Sequence, residues 1–193
     1  MNETPRPGVF LDRDGVLIEN VSTYVRRWDE VEIYPYSVES LRRLKEAGLP
    51  VFVITNQSIV GRGGIDFATI DSLHQRIMEA VDPHHAVVKS YLCPHAPEEN
   101  CDCRKPQPGS LLRAAKEFNI DLGRSFMVGD AVSDVLAARA AGVKPLIVKS
   151  GRGLAQIQKM ELGLAEVTEN LETAVSLILA QLPHLKNGLD ELA

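Results

Sequence analysis

The chain has 193 residues, 45% of them hydrophobic, enough for one domain with a proper core, and a net charge of −5. That charge leaves no broad basic surface, which excludes a nucleic-acid partner, so an anion must be held by a few local cations or backbone amides. No apolar run approaches the roughly 20 residues of a membrane helix, and the opening Met-Asn-Glu-Thr-Pro-Arg-Pro lacks a charged-then-apolar leader pattern, so a cytoplasmic protein without a membrane partner is expected.

In chain order, short apolar runs ending in polar residues predict buried strands at 9–11, 51–54, 87–88, 126–128 and 146–148. Helical spacing fills the intervals. Val38, Leu41, Leu44 and Ala47 end at Gly48; Ile70, Leu73, Ile77 and Val81 follow a cap at Asp66; Leu111, Leu112, Ala115 and Phe118 come next. An alanine-rich stretch at 135–141 ends at Gly142, and Leu171, Ala174, Val175, Ile178, Leu179 and Leu182 close the pattern, with fraying expected from Pro183. This alternation predicts a three-layer, doubly wound parallel α/β sheet forming one domain over 1–193, with segments 20–34 and 93–108 as excursions from it.

In open parallel sheets the ligand site lies beyond the carboxyl ends of the strands. The residues there are Asp12 and Asp14, then Thr55, Asn56 and Gln57, then Arg104 and Lys105, then Gly129 and Asp130. Asp12, Asp14 and Asp130 form an acidic set suited to Mg²⁺, which takes a few carboxylates together with waters and phosphate oxygens. With phosphate on that metal, Asp12 is the candidate nucleophile and Asp14 the acid/base, while Thr55 and Lys105 supply a hydroxyl and a cation to the phosphoryl oxygens. The expected partner is a small phosphorylated metabolite, and nothing in the pattern requires more than a monomer.

Asp12-x-Asp14-Gly15, Thr55-Asn56, Lys105 and Gly129-Asp130-x-x-x-Asp134, in that order, resemble the four motifs of the haloacid dehalogenase superfamily. The resemblance implies the same roles for Asp12, Asp14, Thr55, Lys105 and Asp130. It further implies that the metal takes the backbone carbonyl of Asp14, and that Asp134 supports the surroundings of the metal and Lys105.

Cys93-Pro94-His95 and Cys101-Asp102-Cys103 offer three thiolates and one imidazole, a set suited to a closed structural Zn²⁺ site. Because Arg104-Lys105 follows the last cysteine directly, that zinc would fix the point from which Lys105 approaches phosphate. With the runs 55–63 and 105–109 and Tyr24-Val25, this loop resembles the branch of heptose 1,7-bisphosphate 7-phosphatases and histidinol-phosphate phosphatases. The branch implies removal of the 7-phosphate of the heptose, with histidinol phosphate as the alternative substrate. It also implies substrate contacts from Arg13, from 20–24 including Asn20 and Tyr24, from Thr55, Asn56, Gln57 and Ser58, and from Arg104, the last at a second phosphate. Without a large cap domain, selectivity falls to loops 20–34, 58–64 and 93–108. A reading from another class, a non-catalytic phospho-acceptor or zinc-stabilised interaction protein, predicts loss of Asp14 or Lys105, and both are present. His74 is expected on a helix surface, His84 and His85 in an exposed turn, Trp28 packed in the first excursion and Arg152 in a flexible turn.

Overall fold

The protein is described by a computed structural model over residues 4–21, 24–161 and 163–187, the last five through their backbone alone. Six strands, β1 (Val9–Leu11), β2 (Val51–Asn56), β3 (Val87–Cys93), β4 (Phe126–Gly129), β5 (Lys144–Val148) and β6 (Glu166–Thr168), form one sheet in the order β3-β2-β1-β4-β5-β6. Every pairing is parallel. Helices α1 (Ser37–Glu46), α2 (Phe67–Val81), α3 (Gly109–Phe118), α4 (Val132–Ala140), α5 (Gly153–Ile157) and α6 (Leu171–Asn187) connect and cover it.

Strand alternation divides the apolar side chains between two cores. Val9 and Leu11 of β1 join Leu41, Leu44, Ile77, Val175 and Ile178 on one face. Phe10 points the other way and packs with Phe52, Leu111, Ala114 and Ala137 on the opposite face. The expected three-layer doubly wound sheet is therefore present. Chain order reverses at β1, which pairs with β2 on one side and β4 on the other, so the crevice opens where Asp12 and Asp130 leave their strands.

Asp66 caps α2 as expected, its side chain accepting from the Thr69 amide at 2.9 Å. Four features depart from the sequence expectations. β6 is an additional strand of three residues, too short and too exposed to give an apolar run. α5 begins at Gly153, where a turn was expected. α6 continues through Pro183 to Asn187, so the fraying expected from Pro183 does not begin there, and residues 188–193 lie outside the described part. His74 is 3% exposed, because it lies on the same helical face as Ile70, Leu73 and Ile77.

Trp28 packs as expected, half-buried against the first core with the Arg76 guanidinium 4.1 Å above its ring. His84 and His85 are exposed in the turn before β3. Among the described residues, no helix is long and apolar enough to cross a membrane.

Candidate active site

A cleft of about 590 Å³ opens at the carboxyl ends of β1, β2 and β4. It is lined by Asp12, Asp14, Asn20, Tyr24, Thr55, Asn56, Gln57, Ser58, Arg104, Lys105, Asp134 and Arg152, among others. The strand-end rule therefore gathered Asp12, Asp14, Thr55, Asn56, Gln57, Arg104 and Lys105 along one cleft, while Asp130 is fully buried. Of segment 20–24, Asn20 and Tyr24 line the cleft, with Tyr24 held at φ 69°, while residues 22 and 23 lie outside the described part. A non-glycine residue at positive φ beside a cleft marks a conformation imposed by its surroundings.

Lys105 is the hub. Its buried ammonium lies 2.9 Å from Asp12 Oδ1 and 2.7 Å from Asp134 Oδ1, and donates to the Ile54 carbonyl at 2.6 Å. Burial alone would lower its pKa, but the charges of Asp12 and Asp134 outweigh burial and raise it. Its backbone is pinned by a reciprocal pair: the Asn56 amide donates to Lys105 O at 3.0 Å, and Lys105 N donates to Asn56 Oδ1 at 3.1 Å. Asn56 thus positions the lysine.

The two carboxylates of the first motif occupy different environments. Asp12 is 5% exposed; burial, opposed by Lys105 and aided by the charges of Asp134 and Asp14, pushes its pKa up to about 6. The Arg13 amide donates to its Oδ1 at 2.7 Å. Asp14 accepts from Arg13 Nε and Nη2, both at 3.1 Å, from Gln57 Nε2 at 3.1 Å and from Thr55 Oγ1 at 3.3 Å. Burial pushes Asp14 up, but the Arg13 charge and the hydrogen bonds from Arg13 and Gln57 prevail and hold it below the ordinary carboxylate value.

Two expectations for this motif are corrected. Arg13 is fully buried and does not line the cleft; its side chain turns inward onto Asp14, so it has no surface for substrate. Period-two alternation carries the explanation: Leu11 faces the α2 side of the sheet, and Arg13 continues on that side. The carboxylate cluster consists of Asp12, Asp130 and Asp134, whose oxygens lie within 4.8 Å of one another, while the Asp14 side chain is bound by Arg13, Gln57 and Thr55.

Asp130 is fully buried, and burial together with the Asp12 charge raises its pKa against the opposing Arg152. Close buried carboxylates that resist ionisation suit a hard dication, which favours their charged forms. The approach is tight: a Cβ on Gly15, whose φ is +88°, would sit 2.2 Å from Asp130 Oδ2. Asp134 holds Lys105 and also accepts from the Ala131 amide at 3.0 Å, capping α4. Arg152 was missed as a site residue. Its backbone N–H and guanidinium reach Asp130 at 2.9 and 3.1 Å, so the turn expected at Arg152 is present but tied to the cleft.

Cys93, His95, Cys101 and Cys103 converge as the sequence spacing suggested. Their sulfurs are 3.3 to 3.6 Å apart, and His95 Nδ1 lies 3.5 Å from Cys93 Sγ and 3.3 Å from Cys103 Sγ. The thiols are free, and these separations approach the ~3.8 Å edge of a tetrahedral zinc–thiolate site. Arg104, directly after this cluster, donates to Ser58 Oγ at 2.5 Å and to the His95 carbonyl at 3.4 Å.

The family model described as haloacid dehalogenase-like hydrolase matches residues 6–142. A D-glycero-beta-D-manno-heptose-1,7-bisphosphate 7-phosphatase of Pseudomonas aeruginosa is 40% identical over 152 residues, covering 78% of this chain and 85% of that protein. The protein of the same name in Pasteurella multocida is 36% identical over 193 residues, covering 95% and 98%. The crystal structure of the D,D-heptose 1,7-bisphosphate phosphatase from B. bronchiseptica, complexed with magnesium and phosphate, matches with a TM-score of 0.84 and 32% identity over 91% of this chain and 99% of that one. Motif order, strand-end geometry and these likenesses agree, and the chain belongs to the haloacid dehalogenase-like hydrolases.

Proposed function

We propose that this hydrolase is a magnesium-dependent phosphatase that removes the 7-phosphate of D-glycero-beta-D-manno-heptose 1,7-bisphosphate through an aspartyl-phosphate on Asp12. The observation that carries the reaction is the contrast at one crevice between Asp12, buried against the Lys105 ammonium, and Asp14, two residues on, held by its own set of donors. The relatives that carry the heptose phosphatase name support the substrate.

In this reading an Asp12 oxygen attacks phosphorus as the ester P–O bond breaks, and Asp14, which must first take up a proton against the pull of Arg13, gives it to the departing sugar oxygen. Water then attacks phosphorus, Asp14 takes its proton, and the bond to Asp12 breaks to release inorganic phosphate. Lys105 and the Thr55 hydroxyl offset charge on the phosphoryl oxygens. Asp12, Asp130 and the Asp14 backbone carbonyl are the residues that would hold Mg²⁺, which when bound supplies positive charge to the phosphoryl group, with Asp134 supporting Lys105 beside it. Cys93, His95, Cys101 and Cys103 would hold Zn²⁺, fixing the loop that carries Arg104 and Lys105. Asn20, Tyr24, Ser58 and Arg104 face the rest of the substrate, with the Arg104 fork suited to the second phosphate, whereas the Gln57 amide, expected at the substrate, is taken up by Asp14 and Thr55. We read the protein as a single cytoplasmic domain over 1–193.

The test is phosphate release with Mg²⁺ from the α and β anomers of the heptose bisphosphate, histidinol phosphate and an aryl phosphate, compared as kcat/KM. Preference for the β-heptose bisphosphate is expected. A clear preference for histidinol phosphate overturns the substrate assignment.

A further inference from the structure

The guanidinium of Arg13 is fully buried and is matched by a single carboxylate, Asp14, while its Nη1 has no partner among the described residues. A buried ion pair contributes little net stability, and an apolar side chain of similar volume would usually serve the fold as well. Its geometry is specific, however: Nε and Nη2 grip the Asp14 carboxylate as a planar fork. Gln57, itself 2% exposed, completes the grip, its single amide nitrogen donating to both Asp14 Oδ2 at 3.1 Å and Thr55 Oγ1 at 2.8 Å.

Both gripping residues are anchored by their backbones. The Arg13 carbonyl accepts from Leu17 N at 2.9 Å and Ile18 N at 3.2 Å, and Gln57 N donates to the Cys93 carbonyl at 2.7 Å. Three donors, Arg13 Nε, Gln57 Nε2 and Thr55 Oγ1, converge on Oδ2, whereas Arg13 Nη2 alone donates to Oδ1. A carboxylate offers about four lone-pair positions, so Oδ1 retains the free capacity.

We infer that Arg13 and Gln57 are positioning residues that fix the plane of the Asp14 carboxyl, so that Oδ1 is the oxygen exchanging a proton with the leaving group. This rests on the acid/base reading of Asp14 above. The fork and the amide touch neither substrate nor metal; they act through Asp14, and Gln57 also couples its orientation to that of Thr55 on the phosphate side.

A leaving group that needs no proton separates positioning from general damage. The first-turnover rate of leaving-group release is measured with Mg²⁺ on 2,4-dinitrophenyl phosphate and on the best alkyl phosphate of the panel above. The proteins are the parent, Asp14→Asn, Arg13→Lys and Gln57→Leu. Asp14→Asn is expected to lower the alkyl-to-aryl rate ratio by about 10²-fold or more, the scale of general acid catalysis. Arg13→Lys, which keeps charge but loses the fork, and Gln57→Leu are each expected to lower the ratio about tenfold. If Asp14→Asn lowers the ratio while Arg13→Lys and Gln57→Leu slow both substrates equally, the two residues are merely structural and the inference fails alone. An unchanged ratio in Asp14→Asn overturns the acid/base reading itself, and the inference with it. Should Arg13→Lys fail to fold, Gln57→Leu decides the question.

Discussion

Asp12 and Asp14 leave the same strand two residues apart and meet opposite surroundings. Asp12 sits among charged groups, beside the Asp130 carboxylate and against the Lys105 ammonium that it shares with Asp134, where burial pushes its pKa up to about 6 and one ammonium serves two carboxylates. Asp14 sits among neutral and cationic donors that outweigh burial and lower its pKa. The turn at Gly15 makes this division possible, because it brings Asp130 against the first motif where no side chain would fit. Proximity in sequence therefore does not imply similar chemistry: the first carboxylate is set to be neutralised by cations and to attack, the second to be held in one orientation.

The comparison breaks most severely if Asp12 loses its nucleophilic oxygen. Asp12→Asn is expected to reduce kcat by about 10⁴-fold or more with the thermal melting profile retained, measured by phosphate release and calorimetry. Near-normal turnover in that variant would assign the reaction elsewhere. Lys105→Met removes the shared ammonium and leaves Asp12 and Asp134 buried without it. Urea unfolding should show a loss of about 3–5 kcal/mol, and kcat should fall by about 10²-fold or more.

Smaller effects sharpen the supporting shell. Cys101→Ser should lower kcat by at least about tenfold and reduce thermal stability, through loss of the loop that presents Lys105. Full activity in a zinc-free, equally stable sample would detach the cysteine cluster from catalysis.

His74 lies behind the motif. Burial, then the Arg13 charge, lower its pKa from 6.5 to about 3, against the opposing Asp14. Between those values the unfolded chain binds more protons, so the His74 contribution makes stability fall as pH drops from 6.5 toward 3. His74→Leu should flatten the acid limb of the stability curve, by at most about 1.4 kcal/mol per pH unit, in urea melts from pH 7 to 4. An unchanged slope would place a counter-charge at His74.

Much of this arrangement is legible in the sequence because polar residues directly after apolar runs mark strand ends, and a parallel sheet brings its strand ends together. Asp12, Thr55, Lys105 and Asp130 follow from that rule, and the cysteine spacing marks the second cluster. Arg13 and His74 are harder to place, since an arginine between two aspartates reads as a surface or ligand residue and a histidine on an amphipathic helix reads as its polar face. Their burial depends on α2 covering the same side of β1, a long-range contact that local patterns do not encode. Arg152 and β6 escaped for a simpler reason: Arg152 directly precedes a helix of five residues and β6 has three, too few positions to establish a period.

The central claim is that phosphate resides on Asp12 during turnover while Asp14 governs its arrival from alkyl esters and its release to water. The most direct measurement mixes Asp14→Asn with 2,4-dinitrophenyl phosphate and Mg²⁺, follows the released phenolate, and weighs the Asp12 peptide after acid quench. A burst of one equivalent per enzyme, with one phosphoryl group added to that peptide, is expected. Steady release without a burst, and an unmodified Asp12 peptide, would contradict it.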